Sequence, residues 1–143
     1  MLLRELLAAK GSTVEVVPPT AVLGEVVDRL AEHRIGALVV TDADGHVIGI
    51  ISERDVVRLL GEHGTDALAR RVGDVMTSPV TTSTPDDDVV SLMSLMTDQR
   101  IRHVPVVQDG ELIGIVSIGD VVKTRVEQLE RDRKELLEYV SAR

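Results

Sequence analysis

An α/β (α+β) fold, two β-α-β-β-α units packed on each other and followed by a C-terminal helix, is predicted by three observations. The first is internal repetition. Residues 35–57 read IGALVVTDADGHVIGIISERDVV and residues 101–122 read IRHVPVVQDGELIGIVSIGDVV, aligned with one residue dropped in the turn. Upstream, Pro19 matches Pro85, Val26 and Val27 match Leu92 and Met93, and Leu30 matches Met96, an offset of 65 or 66 residues. Repetition at a fixed offset marks one supersecondary unit used more than once. Second, each copy alternates short apolar runs with stretches whose apolar residues recur every three or four positions, the signatures of strands and one-sided helices. Third, the chain after Asp120 is highly charged and free of Gly and Pro, which reads as one long helix. The corresponding boundaries are 1–66 for the first repeat, 67–124 for the second and 125–143 for the charged helix.

The elements follow in order. Val14–Val17 and Val80–Thr82 are the expected first strands. In the second repeat Thr84-Pro85-Asp86-Asp87-Asp88 offers a cap, a Pro at the first helical position and acids in the first turn. Val22, Leu23, Val26, Val27 and Leu30 form the buried face of one helix, and Val89, Leu92, Met93 and Met96 that of its counterpart. Two strand pairs come next, 37–40 with 47–51 and 104–107 with 112–116, joined through Asp42-Ala43-Asp44-Gly45 and Gln108-Asp109-Gly110. Asp-Gly between apolar runs is a hairpin signal. A second helix starts near Ser52 or Ser117, each placed to be its N-cap. The linker, residues 61–78, holds a short helical candidate at 67–72. One unit alone is too small to bury both faces of its sheet, so the two should pack on each other.

Composition narrows the function. Of 143 residues, 43% are hydrophobic, enough for a packed core, but there is one Tyr and no Phe or Trp. Base stacking on aromatic side chains therefore has almost nothing to work with. The net charge of −8 repels a nucleic-acid backbone while still permitting a few local cations to hold one phosphate. With no Cys, disulfides, thiolate nucleophiles and Cys-bound metals are excluded. The start, MLLRELLAAKG, lacks a signal-peptide layout, and no run approaches about 18 apolar residues. The default expectation is a soluble cytoplasmic protein without membrane or nucleic-acid partners. No P-loop, G-x-G-x-x-G, nucleophile–base pair or metal spacing is present, so catalysis and resident metals or cofactors are not expected. His33, His46 and His63 are scattered and read as surface residues.

The chemistry lies in the pattern G-x-x-S-x-x-D, present as GIISERD at 49–55 and GIVSIGD at 114–120. A strand ends, a Ser caps, and a helix N-terminus opens with its free N–H groups and positive dipole, which suits a phosphate. The hydroxyl of Ser52 or Ser117 can donate to the same phosphate. Asp55 or Asp120, about one turn on, can accept from two vicinal hydroxyls such as a ribose diol. Gly49 and Gly114 leave room for a close approach. Ser followed three residues later by an acid is equally the capping box of an ordinary helix, and both readings stand on sequence alone.

The tandem β-α-β-β-α unit, Met76-Thr77 ahead of the second strand, Arg102-His103-Val104-Pro105-Val106 and the paired heptapeptides resemble the cystathionine-β-synthase (CBS) domain pair, or Bateman module, over roughly residues 1–124. The resemblance implies two units associated through their sheets about a pseudo-twofold axis, with two clefts between them. In the family these clefts commonly take AMP, ADP, ATP or S-adenosylmethionine, sometimes NAD or dinucleotides, and some members lack one or both sites. It implies a ribose role for Asp55 and Asp120 and a phosphate role for Ser52 and Ser117. The base is expected against the first strands, at Val80 and Thr82 and at Val14 and Val16. The family also implies a homodimer. Its output as a regulatory module would pass through dimer geometry or a partner protein. The alternative is an interaction protein with vestigial clefts.

The repeats differ. Arg54 stands opposite Gly119, and Arg102 and His103 stand opposite Gly36 and Ala37. If the clefts lie between the halves, Arg54 and His103 converge on the phosphates. Pro105, two residues beyond His103, is counted with the candidates. A solvated helix Arg and a strand-edge His are the plainer alternatives. Val122, Val126, Leu129, Leu136 and Val140 follow four- and three-residue steps, with Arg133 at the missing slot. This heptad-like seam either pairs two subunits, docks a partner or lies on its own domain.

Overall fold

A computed structural model of the chain describes every residue from Met1 to Ala142. Helix α1 (Leu3–Lys10) precedes the first repeat, which contains β1 (Val16–Val17), α2 (Leu23–His33), β2 (Ala37–Thr41), β3 (Val47–Ser52) and α3 (Glu53–His63). A 3-10 turn (Gly64–Ala69) and the short α4 (Val72–Val75) lead into the second repeat, with α5 (Val89–Gln99), β4 (His103–Gln108), β5 (Glu111–Ser117) and α6 (Ile118–Ser141). The two-repeat α/β architecture with its C-terminal helix is therefore as the sequence predicts. No described helix is long and apolar enough to cross a membrane.

The hairpins are alike. β2 pairs antiparallel with β3, and β4 with β5. Asp109 and Gly110 both have positive φ, the left-handed backbone that a tight hairpin turn demands. β1 adds parallel to β2 through Val16–Val39 and Val17–Val40. The second repeat departs from expectation: Val80–Thr82 is not a strand, and only Ser83 meets the sheet, opposite Val106. The reason is Pro105. Its counterpart Val39 donates its N–H to the Glu15 carbonyl, and a proline has no N–H to make that bond.

The helix start expected at Thr84-Pro85 is also displaced. α5 begins at Val89 with Asp88 as its cap, accepting from the Val90 N–H. Asp87 instead accepts from the Thr84 N–H and closes a turn ahead of the helix. The linker helix expected at 67–72 is split at Arg70 and Arg71 between the 3-10 turn and α4.

Two apolar cores form, and each borrows from outside its repeat. The first gathers Leu23, Val26, Leu38, Val40 and Ile51 with Ala67 and Val72 of the linker. The second gathers Val89, Leu92, Met96, Val104, Val106, Val116 and Val121 with Leu3, Leu6 and Leu7 of α1. The segment ahead of each repeat thus caps the other one. The backbone joints match pair for pair. The Leu3 N–H donates to the Asp87 carbonyl as the Val72 N–H does to Ala21, and the Arg4 N–H to Pro85 as the Gly73 N–H to Pro19. Burying three leucines from α1 stabilises the second half by about 1.5–3 kcal/mol each.

This exchange explains the two heptapeptide glycines. A Cβ on Gly49 would fall 2.2 Å from Met76 Sδ, and one on Gly114 would fall 2.6 Å from Leu7 Cδ2. The room at these glycines is filled by the exchanged segments, which corrects the expectation that it admits a ligand.

Candidate functional site

Both heptapeptides form the same cap. The Ser52 N–H donates to Asp55 Oδ2 at 2.9 Å and the Asp55 N–H to Ser52 Oγ at 3.3 Å. The Ser117 N–H donates to Asp120 Oδ2 at 2.9 Å and the Asp120 N–H to Ser117 Oγ at 3.2 Å. These are capping boxes with Asp in the third helical position. The first N–H of each helix is also engaged, Glu53 with the Gly36 carbonyl and Ile118 with the Arg102 carbonyl. The helix starts are thus partly satisfied from within. What distinguishes them from ordinary caps is the segment each one faces across the pseudo-twofold.

Opposite Ser52 and Asp55 stand Arg100, Ile101, Arg102 and His103 of the second repeat, closing a cleft of about 430 Å³ with Ile50, Thr77, Arg54 and Arg58. Opposite Ser117 and Asp120 stand Arg34, Ile35, Gly36 and Ala37 of the first repeat, closing a cleft of about 300 Å³ with Lys10, Glu15 and Ile115. Arg34 and Arg100 occupy equivalent places, each ending its helix in the left-handed conformation. His103 borders both clefts. Its ring fits over Gly36, where a Cβ would lie 2.9 Å from Nε2. The missing side chain at Gly36 in one repeat is what admits the His103 ring from the other.

The electrostatics of the two clefts diverge. The first collects Arg54, Arg58, Arg100 and Arg102 against Glu53 and Asp55. The second holds Lys10 and Arg34 against Glu15 and Asp120. In the first, Asp55 Oδ1 accepts from Arg58 at 3.3 Å, and the carboxylate is 16% exposed. In the second, Lys10 Nζ donates to Asp120 Oδ2 at 2.5 Å and to the Ile115 carbonyl at 2.8 Å. Partial burial pushes the Asp120 carboxyl up, but the Lys10 ammonium and the Ser117 N–H outweigh it and hold it below the usual carboxylate range. Burial drives the His103 imidazole below its ordinary value, and the nearby carboxylates of Glu53 and Asp120 offset this only in part.

The structure brings Ser52, Arg54, Asp55 and His103 together in one cleft, and Ser117, Asp120 and His103 in the other. It leaves the remaining candidates elsewhere. Val14 and Val16 line a separate groove beside the hairpin turns. Pro105 is buried in the sheet opposite Ile115. Val80 and Thr82 line neither cleft. Sequence reasoning missed Arg58, Arg100, Thr77 and Lys10. The matched placement of Arg34 and Arg100, 66 residues apart just before the repeated hairpin, was the available signal. Lys10 carries none, because its contact lies 110 residues away.

Comparison with known proteins agrees with the fold. The family model described as "CBS domain" matches twice, at residues 11–62 and 72–127. A mitochondrial CBS domain-containing protein of Arabidopsis thaliana is 40% identical over 120 residues, 81% of this chain and 58% of that protein. The chain therefore spans little more than half of that relative. Among solved structures, a CBS-domain containing protein from Agrobacterium tumefaciens is 45% identical, covering 87% of this chain and 92% of its own, with a TM-score of 0.84. A CBS domain protein from Pyrobaculum aerophilum, solved in complex with AMP, is 34% identical, covering 84% and 89%, with a TM-score of 0.74.

Proposed function

The chain belongs to the CBS domain family and carries two copies of the domain, and on that premise we propose that it is a regulatory module binding an adenine nucleotide such as AMP, ADP or ATP. The observation that carries this reading is the convergence of two segments from opposite repeats. Ser52–Asp55 brings a helix N-terminus and a carboxylate, and Arg100–His103 brings cations, on one cleft. Asp55 faces a ribose diol as acceptor, and Arg54, Arg100, Arg102 and His103 surround the phosphates. The Pyrobaculum aerophilum protein solved with AMP supports the same ligand class. A ligand that touches both repeats favours whichever arrangement of the halves closes on it, and that difference is the signal.

The test is calorimetry on nucleotide-stripped protein with AMP, ADP, ATP and S-adenosylmethionine. Micromolar binding is expected, falling by about 100-fold in Asp55→Ala, which deletes two hydrogen bonds to a charged acceptor. Absence of heat with all four ligands, from protein shown to be folded, would overturn the reading.

A second reading, an interaction protein, is favoured by α6. Its only buried residue is Val121, and Val122, Val126, Leu129, Leu136 and Val140 are each at least half exposed. An apolar seam of this length on a helix favours association. We propose that it pairs two copies in a homodimer. Sedimentation equilibrium is expected to show a dimer, and Leu129→Glu with Leu136→Glu a monomer with an unchanged circular dichroism spectrum. A monomeric native protein would reassign the seam to a different partner.

A further inference from the structure

The two clefts are built alike, yet one of them already contains a ligand of the chain's own making. In the first cleft the Ile50 carbonyl is tied to the Thr77 N–H at 2.9 Å, and Asp55 keeps its outward oxygen for a weak contact with Arg58. In the second, a single ammonium bridges the corresponding groups, the Ile115 carbonyl and the Asp120 carboxylate. The Asp120 carboxylate is the counterpart of the Asp55 carboxylate that would meet an incoming ribose.

Lys10 is not a loose surface residue swept into the cleft. It ends α1, one turn beyond Leu7, and Leu7 is seated on Gly114. Leu3, Leu6 and Leu7 are all buried in the second core. The ammonium is therefore delivered to Asp120 by an anchored helix. The Lys10 and Asp120 side chains are only 31% and 26% exposed, so solvent competes incompletely for the pair. The first cleft has no lysine in that place.

We infer that Lys10 is an internal occupant of the second cleft, so that the chain binds one nucleotide, in the first cleft, and Lys10 sets that stoichiometry. This rests on the nucleotide-binding reading above for the first cleft only; the blockade of the second by Lys10 stands separately. A nucleotide entering the second cleft must strip Lys10 from two acceptors and leave the ammonium without them. Lys10→Met keeps the apolar stem and removes the charge.

The experiment is equilibrium dialysis with ATP on the native chain, Asp120→Ala, Lys10→Met, Lys10→Met with Asp55→Ala, and Lys10→Met with Asp120→Ala, each checked by thermal melting. The expected result is one ATP per native chain and two per Lys10→Met chain, the second surviving Asp55→Ala and lost in Asp120→Ala. Two ATP per native chain, or one site that Asp120→Ala abolishes, would overturn the inference while leaving nucleotide binding intact. One ATP in both native and Lys10→Met protein would overturn it as well. If the native chain binds none, the first-cleft reading fails. A site gained in Lys10→Met would then still support Lys10 as the occupant, and none gained would refute it.

Discussion

Leu7→Ala is expected to destabilise the chain by about 3 kcal/mol and to make Gly114→Ala, disruptive by itself, almost silent. Leu7 is 6% exposed and lies in the second core, so its truncation opens a cavity among Val104, Val116 and their neighbours. In the native background Gly114→Ala places a methyl 2.6 Å from Leu7 Cδ2 and 2.9 Å from Cδ1. Overpacking of that kind costs about 2 kcal/mol, or roughly 6 °C in melting midpoint for a chain of this size. Once Leu7 is shortened, the added methyl enters the space it left. Urea titrations of the two single variants and the double variant give the coupling directly. Additive costs would mean that α1 does not rest on Gly114, and the exchange of segments between repeats would be disproved.

The second large effect is a charge ladder. ATP binding is expected to weaken by about 100-fold in Arg54→Ala with Arg100→Ala, while adenosine binding stays within about twofold. Each arginine contributes about 1.5 kcal/mol through a charge-assisted hydrogen bond to a phosphate, and together they supply about 3 kcal/mol. Adenosine has no phosphate for them to hold. Along adenosine, AMP, ADP and ATP the native affinity should climb, and the double variant should flatten the climb. Calorimetry over the four ligands measures both slopes. S-adenosylmethionine, which has no phosphate and carries a sulfonium cation, should gain less from the arginines than ATP. Equal losses for adenosine and ATP would instead mean that the substitutions damaged the cleft walls.

Most of the elements were legible because each is dictated locally. Ser52 and Ser117 cap the helices that their spacing to Asp55 and Asp120 announces, and Asp109-Gly110 turns where two apolar runs require a turn. The misreadings share a cause in long-range bonding. Pro105 cancels a ladder bond that the first repeat makes through Val39, which cost the second repeat its first strand. The glycines looked like clearance for a ligand because Leu7 and Met76, which use that clearance, lie far away in the chain. Within the site, Ser52, Asp55, Arg54 and His103 were readable from the repeat and its asymmetries. Arg100 was marked only by its match to Arg34 across the repeat, and Arg58 by nothing, because no local feature tells a solvated helix arginine from one that a second repeat folds over.

The exchange of leading segments has a consequence for how the chain is made. α1 leaves the ribosome about 110 residues before the strand carrying Gly114, against which Leu7 finally rests. At 5–20 residues per second that is a wait of roughly 5 to 20 s. Until α5 emerges, the face formed by Leu3, Leu6 and Leu7 has no native surface to cover it, and until β5 follows it is covered only in part. The nascent first repeat meanwhile completes its own core as soon as Val72 emerges. Synthesis thus passes through a species with one finished lobe and one sticky amphipathic helix, the kind of intermediate that a holdase chaperone would recognise.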